Sequence, residues 1–205
     1  MAARAYTSPL RQTQAADTRA RVLRAAAEAF VENGYTGTTL AEIARLAGVS
    51  VETVKGTAPK HQLLLSAFEI ALAGREGQKG ISEEEYEALP SGDELLEILI
   101  GAVAVANAAS SGLWSAFLAA AETDERVRET LDALQARRRA DYVRLIAVLD
   151  HRQMITTDAP REFLADALSF LFSQEAHQQL VTQSGWTDEH YREWLATAVR
   201  RLILT

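Results

Sequence analysis

The sequence predicts an all-α fold: an N-terminal three-helix head followed by a larger helical body, about nine helices in all. Three observations predict it. Only 11 Gly and 4 Pro punctuate 205 residues, and Ala, Leu, Glu and Arg are abundant. Apolar residues recur at helical spacing in one segment after another, with no alternating strand pattern and no internal repeat. Capping signatures, in which a Ser or Thr is followed three residues later by Glu, mark helix starts at Thr39/Glu42, Ser82/Glu85 and Ser91/Glu94.

Composition removes whole classes of function. At 48% hydrophobic and 24% charged residues the chain can bury a real core. With no cysteine, disulfides, thiolate catalysis and thiolate metal sites are excluded. The four histidines (His61, His151, His177, His190) have no metal-ligand spacing, so no metal and no cofactor is expected. No nucleophile–base pair, paired carboxylates or phosphate loop appears, so no enzyme is expected. Neither a continuous apolar run of about 20 residues nor a secretory leader is visible, and the expected address is the cytoplasm, with no membrane partner. The formal charge is −7 but unevenly spread. Residues 1–60 hold eight Lys and Arg against five Asp and Glu, which leaves the head basic and the body acidic. Only the head is suited to phosphate.

The elements follow in order. Residues 1–16 are polar and unpatterned around Pro9 and read as a mobile basic arm, with Arg4 and Arg11. The head covers 17–60. Its first helix is capped at Asp17 or Thr18, carries the stripe Val22, Leu23, Ala26, Ala29, Phe30, and ends at Asn33-Gly34. Thr39 to Glu42 opens a short helix with Leu40, Ile43, Ala44 and Ala47 on one face, and Gly48 stops it. Ser50 caps a second short helix, from Val51 to about Gly56. Two short helices across an Ala-Gly-Val turn, behind a longer one, form a helix-turn-helix.

The body covers 61–205. Pro59 opens a helix with Leu63, Leu64, Ala67, Phe68, Ala71 and Leu72 on one face. A glycine-rich loop (Gly74, Gly77, Gly80) and a short turn near 83–89 follow, the latter with Ile81 and Tyr86 as a hydrophobic staple. Helices are then expected at 93–108, 112–121 and from Thr123 to Leu149, and finally at 159–182 and 188–203, the last capped by Thr187 with Trp186 stapled to Tyr191.

The run from Thr18 to Val54 resembles the DNA-binding head of TetR-type transcriptional regulators. The resemblance rests on Asn33-Gly34-Tyr35, Thr38-Thr39-Leu40, Ile43-Ala44 and Ala47-Gly48-Val49-Ser50 at their mutual spacings. Gly185-Trp186-Thr187, with Tyr191 and Trp194, is similar to the C-terminal part of members of that family. Three positions depart from the pattern: where the family usually has Tyr, Phe and Lys after the recognition helix, this chain has Lys55, Ala58 and His61.

The resemblance implies double-stranded DNA as partner, read by a homodimer on an inverted-repeat operator and released by a small hydrophobic or amphipathic effector. The candidates for DNA contact are Thr39, Arg45, Ser50, Val51, Glu52, Thr53, Lys55, Lys60 and His61. Threonine and serine at helix starts offer amides to phosphate, lysine and arginine offer charge, and Glu52 can accept from cytosine. Between the middle helices, aromatic and aliphatic walls with a few polar groups make Phe68, Leu96, Ile100, Asn107, Trp114, Phe117, Tyr142, Phe170, Gln174 and His177 the ligand-binding candidates. Arg138, on the apolar stripe of its helix, is placed to pair with Asp141 or an anionic effector. Helix 159–182 carries two stripes, 164/168/171 and 163/167/170, which lets it pack on two sides. The dimer candidates are Leu164, Leu168, Leu171, Trp194, Ala198 and Leu202. A second reading from another class remains: a helical ligand-binding or sequestering protein whose head has lost DNA binding through the three departures.

Overall fold

The computed structural model describes residues 9–77, 85, 88, 90 and 92–204, and no strand occurs among them. The head begins with α1 (Pro9–Gly37). The helix therefore starts eight residues before the predicted cap at Asp17, because Pro9 is compatible with a first helical turn and nothing in Leu10–Ala16 breaks helix. Of the predicted arm, Arg4 lies outside the described residues, whereas Arg11 belongs to α1. At Gly34 (φ 67, ψ 174) α1 bends, in a backbone region that only glycine enters cheaply. The bend is stitched by the Thr38 hydroxyl, fully buried, which is shared between the carbonyls of Ala29 (2.9 Å) and Gly34 (2.8 Å).

Helices α2 (Leu40–Ala47) and α3 (Val51–Thr57) follow as predicted. Thr39 accepts the Glu42 amide proton at 3.1 Å, and Ser50 accepts that of Thr53 at 3.1 Å. Gly48 closes α2 in the left-handed region (φ 63, ψ 42). Pro59 then stands as the cap of α4 (Lys60–Ala73) rather than as its first residue. The turn expected at 83–89, with Ser82, Ile81 and Tyr86, falls largely outside the described residues, as does Ser91.

Helix α5 (Asp93–Ala121) is continuous, where two helices, 93–108 and 112–121, were expected. Gly112 does not break it. A Cβ there would lie 3.1 Å from Val31 Cγ1, so glycine lets α1 and α5 approach closely. Helix α5 is also long and apolar enough to cross a membrane by length and composition, with a mean hydropathy of 1.6 over its most apolar window. It packs against α1 and α4 and carries buried Asn107 and Ser110, and 33% of that window is buried inside the protein. Helix α6 (Glu125–His151) is capped by Asp124, one residue later than predicted, through the Arg126 amide at 3.1 Å.

The predicted helix 159–182 is in fact broken. It consists of α7 (Arg161–Leu171) and α8 (Gln174–His177), the latter running on as a π-helical turn, Gln178–Gln183. Ser173 turns extended and caps α8 through the Ala176 amide at 3.0 Å. The Phe172 carbonyl, freed by the break, and the Ser173 carbonyl, which also accepts the His177 amide, lie 3.3 and 3.2 Å from the buried Asn107 Nδ2 of α5. The break thus answers a polar group that no heptad count reveals. Finally α9 (Asp188–Val199), capped by Thr187 at 3.2 Å from the His190 amide, continues as a second π-helical turn, Arg200–Leu204. Trp186 packs against the rings of His190 and Trp194 rather than forming the predicted staple to Tyr191.

Two hydrophobic clusters result. One joins the head to α4, the C-terminal end of α5 and the start of α6, through Phe30, Phe68, Trp114 and Phe117 among others. The second fills the space between the start of α5, the end of α6, and α7 and α9, around Leu96, Ile146, Leu168 and Tyr191.

Candidate nucleic-acid interface and ligand cavity

The turn between α2 and α3 is held from behind. Arg21 of α1 donates from Nε to the Ala47 carbonyl (3.1 Å) and from Nη2 to that of Gly48 (2.9 Å), the last carbonyls of α2. Below it, Ile43, Ala44, Ala47 and Val54 are buried against Val22, Ala26 and Phe30. The outer surface of α3 is left free by this packing. Glu52 and Lys55 are exposed, Val51 and Thr53 half-buried, and Arg45 on α2 is exposed beside them. Thr39 and Ser50 are exposed with their hydroxyls engaged in capping, and Ser50 Oγ also lies 2.9 Å from Thr53 Oγ1. The half-buried His61 lies at the start of α4.

Lys60 is engaged within the chain. Its Nζ sits 4.5 Å from the centre of the Tyr35 ring, and burial pulls its pKa below the usual lysine value. Tyr35 stacks on Phe30 and donates its hydroxyl to Asp124 Oδ2 at 3.1 Å. Burial and that bond push the phenol up to about 12, while Asp124, hydrogen-bonded first by the Arg126 guanidinium, falls to about 2. Lys60, Tyr35 and Asp124 therefore tie the end of α1, the start of α4 and the start of α6 into one joint. Arg19 makes a second tie, donating to the Thr57 carbonyl at 3.0 Å and pairing with Glu76 beyond α4.

Behind α4 lies a cavity of about 370 Å³. Five of the sequence-predicted ligand residues line it: Phe68, Asn107, Trp114, Tyr142 and Gln174. Five do not. Leu96, Ile100 and Phe117 are buried in the two cores, and His177 packs edge-on to Tyr191 at 5.0 Å. Phe170 is 62% exposed and points away, because the break at Ser173 sets the register of α7 independently of α8. What sequence reasoning underweighted is the charged wall. Arg137, Arg138 and Asp141 of α6 all face the cavity. Arg137 pairs at 3.1 Å with Glu69, a buried carboxylate on α4 that also accepts the Gly77 amide at 2.7 Å. Arg138 donates to Gln174 Oε1 at 3.1 Å. The expected Arg138–Asp141 pair does not form; Asp141 pairs instead with Arg144. The signal available in the sequence was the placement of charges on the apolar stripe of a helix.

The dimer candidates also sort in an unexpected way. Leu164, Leu168 and Leu171 are buried in the chain's own core, whereas Phe163 and Phe170, on the adjacent stripe, are 58% and 62% exposed. The reason is that α7 turns the 164/168/171 stripe towards α6, and the outward face is then the other one. On α9, Trp194 and Ala198 are half-buried and Leu202 is exposed.

Residues 22–54 match the family model for bacterial regulatory proteins of the tetR family. The match is to the head alone. The matched segment runs from the start of the buried stripe on α1 to Val54, the buried residue that anchors α3, and so contains the whole helix-turn-helix. No curated protein sequence matches the chain. Among solved structures, NalD, the secondary repressor of the MexAB-OprM multidrug efflux pump in Pseudomonas aeruginosa, superposes with a TM-score of 0.70 at 21% identity, covering 94% of this chain and 98% of NalD. A candidate TetR-family transcriptional regulator from Rhodococcus sp. gives 0.70 at 19% identity, over 92% and 99%. A candidate transcriptional regulator from Saccharomonospora viridis, solved in complex with choline, gives 0.69 at 19%, over 93% and 99%. At such identities the likeness establishes the fold alone: a three-helix head on the same kind of helical body.

Proposed function

We propose that the protein is a DNA-binding regulator of transcription, a repressor as NalD is, released from its operator by a small molecule bound in the cavity. The observation that carries this reading is the outward face of α3, a short helix sealed from behind by Arg21 and left uncovered in front, on a tetR-family head. Lys55 and Arg45 supply phosphate contacts, and Val51, Glu52 and Thr53 face base edges. One such head spans few base pairs, so a homodimer on an inverted repeat supplies specificity. The exposed Phe163 and Phe170 of α7, with Leu202 beyond α9, form its apolar surface.

Release follows from connectivity. Helix α4 contributes Phe68 and Leu72 to the cavity, Glu69 to Arg137, and Lys60 to the joint with Tyr35. A ligand that displaces α4 shifts the head it is joined to. The two α3 helices then lose their spacing of about one DNA turn, roughly 34 Å. The ligand achieves this only through preferential binding to the DNA-free state, and a tenfold preference corresponds to about 1.4 kcal/mol. The choline seen with the Saccharomonospora viridis protein supports small-molecule binding by this fold class.

The deciding experiment is fluorescence anisotropy on DNA from upstream of the protein's own gene, at a series of salt concentrations. We expect a steep fall of log K with log salt, and a slope shallower by about 1 for each protomer's Lys55→Ala. A flat, weak response supports the sequestering alternative instead, in which the departures at Lys55, Ala58 and His61 have disabled the head.

A further inference from the structure

We propose that a side-chain relay joins the cavity wall to the recognition helix, running from Arg137 through Glu69 and the turn after α4 to Arg19, which holds the end of α3. This rests on the reading of the protein as a ligand-released regulator and names the residues that carry the release. Arg19, on α1, donates from Nη1 to the carbonyl of Thr57, the last residue of α3, at 3.0 Å. Arg21 holds the turn that opens α3, so α1 grips that helix at both ends. Arg19 is itself held from beyond α4. Its Nε donates to Glu76 Oε1 at 2.9 Å and its Nη2 to Glu76 Oε2, a two-pronged pair that fixes the plane of the guanidinium. Glu76 stands where Gly74 and Gly77 (φ 72 and 63) turn the chain back, and it is bonded a second time by Ser66, a buried residue of α4.

The turn is anchored to the cavity wall. Glu69 of α4, 6% exposed, accepts the Gly77 amide at 2.7 Å with one oxygen and Arg137 Nη2 at 3.1 Å with the other. Among the described residues these are its hydrogen-bond partners, and Arg137 is its ion-pair partner. Arg137 lines the cavity, as does Asp141, four residues on along α6 and close enough to feel the Arg137 charge. Arg137 therefore has two acidic neighbours to turn to. A ligand that draws it from Glu69 towards Asp141 leaves a buried carboxylate with a single amide, which is costly enough to make Glu69 and the turn rearrange. Glu76 moves with the turn, and Arg19 loses its orientation on Thr57. A rigid displacement of α4 makes no such demand, and substitutions at Arg137 or Glu76 would then act on stability alone.

The test is fluorescence anisotropy of the full-length protein on DNA from upstream of its own gene, with each variant first shown to be folded by thermal denaturation. Arg137→Met, Glu76→Gln and Arg19→Met should each weaken DNA binding by about three- to tenfold with the salt slope unchanged, because no phosphate contact is removed. Arg137→Met combined with Arg19→Met should be within about twofold of the worse single variant, because both cut one path, whereas Arg137→Met and Lys55→Ala should multiply. Should Arg137→Met fail to fold, Glu69→Leu with Arg137→Leu takes its place. Exchanging the buried pair for apolar groups keeps the melting temperature near that of the wild type while cutting the relay, so DNA affinity should still fall and Arg19→Met should add little to the loss. Wild-type affinity in that leucine pair, multiplying effects of Arg137→Met and Arg19→Met, or unchanged affinity in Arg137→Met and Glu76→Gln overturns the relay and leaves the regulator reading standing. Wild-type protein without salt-dependent DNA binding removes the regulator reading and the relay with it.

Discussion

At the scale of single residues, the joints that set the head are made by polar side chains reaching across helices. Arg21 closes the α2–α3 turn by taking two carbonyls that no helix partner can satisfy. Its replacement by Ala should cost about 0.5–1.5 kcal/mol of stability, the usual net worth of hydrogen bonds whose groups water can reach, and weaken DNA binding with it. Thermal denaturation and anisotropy measured on the same variant check both. Two titrating groups add a pH signature. Asp124 falls from 3.8 to about 2 in the folded protein, so its contribution is complete above 3.8 and is lost as pH falls towards 2. The His177 pKa is lowered from 6.5 by burial, so the folded state resists protonation and stability also declines as pH falls below 6.5. Urea denaturation across that range should show Asp124→Asn flattening the lower limb only and His177→Gln the upper limb only. Equal effects of both variants on both limbs would contradict the assignment.

Helices show a different kind of determination. The starts of α2, α3, α8 and α9 are written in Thr39, Ser50, Ser173 and Thr187, each of which accepts an amide proton three residues on. Their ends and interruptions are another matter. A break was expected between 108 and 112, yet the helix runs on, and Gly112 is a contact, since its missing Cβ admits Val31. Gly112→Leu should therefore destabilise the protein, and adding Val31→Ala should recover part of the loss, a coupling that a double-mutant cycle reads directly. With the smaller change, Gly112→Ala in the Val31→Ala background should be up to about 1 kcal/mol more stable than Val31→Ala alone, because alanine is the better helix former. The reverse error occurred at 172–173, where a continuous apolar pattern concealed a break stabilised by Asn107, 65 residues earlier in the chain.

For the whole molecule, the surfaces left over by packing decide what can assemble. The sequence offered two stripes on the helix around 159–182, and the dimer candidates Leu164, Leu168 and Leu171 came from the one that turns inward. The core took Leu164, Leu168 and Leu171 and left Phe163 and Phe170 outside. Phe163→Asp with Phe170→Asp should convert a dimer to a folded monomer in sedimentation velocity, whereas Leu164→Asp should lower the melting temperature of the protomer itself. A monomer that persists in wild type at micromolar concentration would remove the basis for a twofold operator complex.

The same contrast sets the limits of the sequence. Alone, it determined the helical class, the helix-turn-helix and its caps, because these depend on residues within a few positions of each other: a hydroxyl three residues from an amide, a glycine at a turn, an apolar stripe of period 3.6. Of the ten wall residues it suggested for a cavity, five line the one found: Phe68, Asn107, Trp114, Tyr142 and Gln174. It could not determine that the head shares one core with α4, the C-terminal end of α5 and the start of α6, that Tyr35 would carry Lys60 and Asp124, or that Arg137 would answer Glu69. Those pairings join residues tens of positions apart. Which of several chemically equivalent partners meet is settled only when the helices pack, because burial then requires every charge and amide to find a partner in reach.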